Sequence, residues 1–153
     1  MSLVILDQDG VCERLPHRGH ALFIQEATVE GNRVTGSTSW SAEHPIMQGH
    51  FPGQPIVPGV FLIEAAAQLA GVGITCENPG TAGLGMLASV RRALIHRPLL
   101  ADEEVKYTLQ FNANGNGMFS ISGIGWTSNS KVITVDLSIA VRVPAEQVEG
   151  PHK

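Results

Sequence analysis

Most of this chain alternates between apolar and polar positions, and one stretch does not. Ala21–Glu30 and Arg33–Trp40, divided by Gly31-Asn32, read as a hairpin with a favoured two-residue turn. Ser41–Gly49 reads as connecting loop. Gly85–His96 has strand composition, and Val105, Tyr107, Leu109 and Phe111 then alternate with Lys106, Thr108 and Gln110 at period two. Asn112–Gly117 is a turn-rich break. Met118–Trp126 is strand-like again, with Gly123 and Gly125 pointing to a bulge or a close backbone approach. From Ile133 to Val143 the odd positions are apolar, while Thr134, Asp136, Ser138, Ala140 and Arg142 lie between them, as in a sheet with one buried face.

Residues 59–72 break that rhythm. From Val60 to Val72 every side chain is apolar or absent except Glu64 and Gln68, so the segment predicts a helix enclosed on all sides, about 21 Å long. Asn78-Pro79-Gly80, within Glu77–Gly83, closes it in a turn. One helix too apolar to face water, among five or six antiparallel strands, requires a sheet curled around it. That is an α+β architecture.

Composition narrows the classes. A length of 153 residues suits one domain, assigned to 1–147 with a polar tail at 148–153. The net charge of −4 provides no global basic field for nucleic acid. Cys12 and Cys76 make neither a disulfide framework nor a metal-type spacing, and the histidines lack the zinc-helix pattern, so no metal site is expected. Asp7 and Asp9 stand where a leader would be basic, and no run approaches about 18 uninterrupted apolar residues. A soluble, cytoplasmic protein without a membrane role is the expectation.

The chemistry concentrates where the alternation stops. Pro52, Pro55 and Pro58 stiffen the loop around His50, and Gly53 and Gly59 permit backbone geometry closed to other residues. Glu64 and Gln68 are i and i+4, so they share one helix face. A carboxyl buried without a cation stays protonated and can act as a general acid, and a neutral histidine can act as the matching base. The plainer reading makes Glu64 and Gln68 a solvent stripe and His50 a turn cap. Arg91, Arg92, His96 and Arg97 form the one basic cluster, read either as a solvated strand edge or as a docking patch.

Residues 49–71, Gly-His-Phe-Pro-Gly-Gln-Pro-Ile-Val-Pro-Gly-Val-Phe-Leu-Ile-Glu-Ala-Ala-Ala-Gln-Leu-Ala-Gly, closely resemble the signature of the 3-hydroxyacyl-[acyl-carrier-protein] dehydratases of the FabZ type, which have the hot-dog fold. Leu15-Pro16-His17-Arg18 and Arg97-Pro98 extend the resemblance over most of the chain. Two departures stand out. The family's Pro-Gly-Asp is Ala101-Asp102-Glu103 here, and an acidic position appears as Arg91.

The resemblance implies dehydration of (3R)-3-hydroxyacyl thioesters to trans-2-enoyl thioesters, in fatty-acid or related lipid or polyketide synthesis. It assigns His50 as base, Glu64 as acid, the Gly59 N–H as oxyanion donor and Gln68 as orienting group. Phe51, Pro58, Val60 and Phe61 would line the substrate tunnel, and Arg91, Arg92 and Arg97 would dock an acyl carrier protein. It further implies a homodimer or a trimer of dimers, with His50 and Glu64 of one site from different subunits. No cofactor is expected beyond the carrier's phosphopantetheine. A hot-dog thioesterase using Glu64 to activate water, and a non-catalytic acyl-carrier binding partner, are the competing readings.

Overall fold

A computed structural model of the protein describes residues 2–81 and 85–142. It contains seven strands, not five or six: β1 (Leu3–Leu6), β2 (Ala27–Glu30), β3 (Arg33–Thr38), β4 (Gly85–Ile95), β5 (Val105–Gly115), β6 (Met118–Trp126) and β7 (Lys131–Val141). They form one sheet in the order β1-β2-β3-β5-β6-β7-β4 with every pairing antiparallel. Helix α3 (Gly59–Glu77) packs against the concave face of that sheet, in the hot-dog arrangement that the sequence led us to expect. Two short helices, α1 (Gln8–Cys12) and α2 (Pro45–Gly49), complete the described elements along with two single turns of 3-10 helix.

The alternation in β5 and β7 supplies the core. Val105, Tyr107, Leu109 and Phe111, with Ile133, Val135, Leu137 and Ile139, are all buried, as are ten residues of α3. By composition α3 could cross a bilayer, yet here it is the core helix. At Gly73 a Cβ would sit 2.5 Å from the Phe111 ring, so that glycine lets the helix lie directly on β5. Tyr107 ties the two together through its hydroxyl, which donates to the Leu62 carbonyl at 2.8 Å. Burial pushes that phenol's pKa up, so it remains a donor.

Several boundaries moved for identifiable reasons. The strand expected over Ala21–Glu30 is ladder-bonded only from Ala27, because residues 21–23 bond to side chains instead. Gln68 takes the Ala21 carbonyl and the Phe23 N–H, and Thr38 donates to the Phe23 carbonyl. Within the expected loop Ser41–Gly49, His44 caps α2 and Pro45 begins it. Helix α3 runs five residues past Val72, since Ile74 is buried, and stops where Asn78 bonds the Ile74 carbonyl through both its backbone and its side chain. Val143, the domain boundary at 147 and the expected tail lie outside the described residues.

The sheet has two edges, β1 and β4. β4 is eleven residues long and has register shifts between Leu87 and Ser89 and between Val90 and Arg92. Those bulges keep Leu87, Val90, Ala93 and Ile95 in phase with the inward-facing positions of β7. Even so, Met86, Leu87, Val90, Leu94 and Ile95 are each at least 40% exposed. A long apolar edge of this kind is a pairing surface.

Candidate active site

Glu64 projects from α3 into a cavity of about 220 Å³. Its walls include Leu15 and His17, Ala67 and Gly71 on α3, Leu87 on β4 and Ile139 on β7. Gln68, one turn along from Glu64, is 2% exposed and spends its whole amide on positioning. Its Oε1 accepts the Phe23 N–H at 2.9 Å, and its Nε2 donates to the Ala21 carbonyl at 2.8 Å and to Glu64 Oε1 at 3.0 Å. A backbone N–H can only donate, so the amide orientation follows from its partners. The segment that lacks a strand partner is thereby the segment that fixes the acid-side carboxyl.

Glu64 is less enclosed than a helix apolar all round suggested. Its side chain is 40% exposed in the single chain, so the dry surroundings expected of it are not supplied by its own subunit alone.

His50 lies elsewhere. It is the residue at the C-cap of α2, half-buried, with its ring stacked on Phe51 at 4.3 Å between centroids. Its Nδ1 is 2.8 Å from the Ile56 carbonyl oxygen. Because a carbonyl only accepts, Nδ1 carries the proton in the neutral ring and Nε2 keeps its lone pair, which is the form a base requires. The turn-cap position is thus compatible with the tautomer that a base requires. His50 is not among the residues lining the cavity that holds Glu64.

The four expected tunnel residues do not line that cavity either. Phe51 and Val60 are 52% and 68% exposed, facing away from their own subunit's interior. Pro58 is buried beneath the loop, and Phe61 is absorbed into an aromatic cluster with Phe23, Trp40 and His44. Gly59 opens α3, where the first-turn N–H groups have no carbonyl one turn back. A Cβ there would sit 2.5 Å from Ile95 Cδ1, so a side chain at this position would have to push aside the tip of the Ile95 side chain.

The basic cluster divides. Arg91 and Arg92 are exposed on β4, Arg91 within the second bulge and Arg92 opposite Asp136. Arg97, expected in the same docking patch, is instead engaged within its own chain, its side chain 32% exposed. Its guanidinium bonds both Glu103 oxygens at 3.2 and 2.8 Å, the Ser130 and Thr127 hydroxyls and the Pro98 carbonyl, which uses all five N–H donors. That hydrogen bonding holds the Glu103 carboxyl below the usual carboxylate range.

The same bonding explains the departure at Ala101-Asp102-Glu103. Asp102 has φ +67°, the left-handed conformation that a glycine takes without cost, and Glu103 supplies the carboxylate that follows it. The altered residues rebuild a turn and leave the Glu64 cavity untouched.

His17 is the site residue that sequence reasoning missed. Its Nε2 is 3.5 Å from Glu64 Oε1, although Leu15-Pro16-His17-Arg18 entered only as part of the family's likeness. Among the described residues no group of histidine, cysteine and carboxylate side chains could hold a metal ion.

His44 bears on the loop that carries His50. Its Nδ1 accepts the Ile46 N–H at 3.1 Å, and its ring stands edge-on to His20 at 4.7 Å. Burial, and then the His20 ring, holds its pKa below the ordinary 6.5. A histidine lowered in this way contributes stability that is present above 6.5 and lost as pH falls through the lowered value, because protonated Nδ1 cannot accept. Thermal melts of wild type and His44→Asn, whose amide oxygen caps without titrating, should diverge below about pH 6.5, with the wild type losing more. A constant difference between the two down to about pH 5 would remove His44 as the cause.

Comparison with known proteins decides the family. The ApeI-like model, described as ApeI dehydratase, matches residues 26–132. The chain belongs to this dehydratase family. Relatives of this chain include the 3-hydroxyacyl-[acyl-carrier-protein] dehydratase FabZ of Syntrophomonas wolfei, 33% identical over 74% of this chain and 80% of that one. FabZ of Syntrophotalea carbinolica is 31% identical over 96% of this chain and 99% of its own. Among solved structures, the dehydratase heterocomplex ApeI:P from Xenorhabdus doucetiae superposes with a TM-score of 0.73 at 20% identity, covering 86% of this chain and 90% of that one. That likeness shows the fold of this chain.

Proposed function

We infer that this protein is a 3-hydroxyacyl-[acyl-carrier-protein] dehydratase, a hydro-lyase of fatty-acid or related biosynthesis that converts (3R)-3-hydroxyacyl thioesters to trans-2-enoyl thioesters. The observation that carries the reading is the state of the two proton-handling groups. His50 keeps a free lone pair on Nε2, and Glu64 is held through one oxygen at the mouth of an apolar cavity. His50 Nε2 takes a C2 proton, and the electron pair moves toward the thioester carbonyl. Negative charge gathers on that oxygen, where the Gly59 N–H at the positive end of α3 acts as donor. The pair then returns to form the C2–C3 double bond, the C3–O bond breaks, and Glu64 protonates the departing hydroxyl, which leaves as water. The reaction needs no cofactor beyond the phosphopantetheine of the carrier.

The active site is shared between two subunits in this reading. His50 and Glu64 do not meet within one chain, Phe51 beside His50 and Val60 on the first turn of α3 are uncovered, and β4 offers a long apolar edge for pairing. In a dimer the uncovered Phe51 and Val60 become the wall of the partner's cavity and close off Glu64 from water. A dimer, alone or as a trimer of dimers, is therefore the working enzyme, acting in the cytoplasm. Arg91 and Arg92 form the docking patch for the acidic carrier protein.

Incubation with 3-hydroxyacyl thioesters of graded length, on the carrier protein and on N-acetylcysteamine, tests this directly. Enoyl absorbance should appear without free thiol; thiol release without enoyl product would make the protein a thioesterase. Charge reversal at Arg91 and Arg92 should raise KM for the carrier substrate at low salt and leave the small thioesters unaffected, because exposed charges act over a Debye length of about 10 Å at 0.1 M. Equal loss on both substrates would assign those arginines to the sheet instead.

A further inference from the structure

The Glu64 carboxyl is addressed on one side only. Oε1 accepts from Gln68 Nε2 at 3.0 Å and lies 3.5 Å from His17 Nε2. No hydrogen bond to Oε2 is formed among the described residues, and the carboxyl lines the cavity. His17 has a constrained ring as well: its Nδ1 is buried with no partner among the described residues. Of the two ring nitrogens only Nε2 has an oxygen within reach, Glu64 Oε1 at 3.5 Å, so a proton there finds an acceptor and one on Nδ1 does not. The tautomer that fits the site carries its proton on Nε2, toward Glu64.

The chain around His17 is stitched in place. Arg18 donates to the carbonyls of Leu15, His17 and Cys12 at 2.6, 2.7 and 2.9 Å. Arg14, the cationic side chain of the cavity lining, is committed to the Gly10 carbonyl and to Cys76 Sγ. A loop bonded in this way delivers an imidazole at a defined place.

We propose that His17 is a positioning residue of this active site, which together with Gln68 occupies Oε1 of Glu64 and so assigns the transferable proton to Oε2. This deepens the reading of Glu64 as general acid and rests on it. With Gln68 donating to Oε1 at 3.0 Å and the His17 ring 3.5 Å from the same oxygen, the neutral acid carries its proton on Oε2, the oxygen these side chains leave open. When that O–H bond breaks and the proton goes to the C3 oxygen, the carboxylate left behind keeps the Gln68 donor and draws in the His17 N–H. Without His17 the carboxyl keeps one donor, and the proton settles on either oxygen.

The test compares wild type, His17→Leu, His17→Gln and Glu64→Gln on small and carrier-borne thioesters, with kcat and KM measured across pH. His17→Leu should lose about 10–100-fold in kcat at nearly unchanged KM, the range for a hydrogen bond to a charged group. His17→Gln, which retains an N–H, should recover most of the rate. A glutamine variant no better than leucine, or a loss that falls on KM rather than kcat, overturns the proposal and leaves His17 a packing residue. Full activity in Glu64→Gln would instead overturn the acid reading beneath it, whereas inactive Glu64→Gln beside normal His17→Leu sinks the His17 role alone. Should His17→Leu fail to fold, nitrogen NMR of the wild-type ring decides: a neutral ring protonated on Nδ1 contradicts the proposal, and one protonated on Nε2 supports it.

Discussion

Replacing His50 with alanine, or Glu64 with glutamine, is expected to lower the dehydration rate by about 10²–10⁴-fold in each case, the usual contribution of a general acid or base. The losses should leave the fold intact. His50 sits at the end of a five-residue helix and its ring bonds only the neighbouring Ile56 carbonyl, so alanine removes the base without opening the core. Glutamine at 64 retains the size of the side chain and, through its amide oxygen, an acceptor for Gln68, while lacking the proton to give. Stopped enzymes with wild-type melting temperatures and oligomeric states are the expected outcome. Wild-type turnover in either variant would remove that residue from the mechanism, and a collapse in melting temperature would reassign it to stability.

Mixing those two inactive proteins should restore activity once their subunits exchange. In a dimer whose sites each draw His50 from one subunit and Glu64 from the other, a mixed pair contains one intact site and one doubly damaged site. Random reassortment of equal amounts then regenerates about a quarter of the sites of the wild type, since half of a population of two-fold dimers is mixed. The structure makes this the most discriminating experiment, because His50 does not reach the cavity of its own Glu64 and the apolar edge of β4 stands uncovered. Continued inactivity, with mixed dimers verified by mass spectrometry, would mean that both residues serve one chain's site, and a rearrangement of the 50–58 loop would then have to bring them together.

The sequence was most legible where a single periodicity ran long enough to be unambiguous. The alternation of β5 and β7 and the uninterrupted apolar character of α3 each correspond to an element of the structure, because burial on one face or on all faces leaves a direct imprint on residue type. It was least legible where backbone groups bond to side chains. Residues 21–23 look like strand, yet Gln68 and Thr38 occupy their hydrogen bonds, and no local pattern announces a partner 45 positions away. β1 escaped notice for a related reason. Four residues with Leu3 and Ile5 exposed carry too little alternation to signal a strand, and only pairing with β2 makes them one.

The candidate site shows the same division. His50, Glu64 and Gln68 stood out as residue types in a Pro/Gly-stiffened loop and on one helix face, and that spacing is a local property of the chain. Phe51, Val60 and Phe61 stood beside them in sequence, but neighbours along a loop or a helix point in different directions, and none reaches the cavity. The residue that does reach Glu64 is His17, forty-seven positions earlier, delivered by a loop that two arginines hold against backbone carbonyls.

Arg97 teaches a similar lesson about charge. From sequence alone an arginine beside two others joins a patch, whereas in three dimensions all five of its donors are taken by groups of its own chain. Composition and spacing by themselves determined that an enclosed helix bearing one carboxylate must lie within a curled antiparallel sheet, because apolar surface has to leave water wherever the chain puts it. Tertiary structure alone decided which side chains surround that carboxylate, which arginines are bonded within the chain and which apolar residues are left uncovered, because those depend on directions and distances between segments remote in sequence.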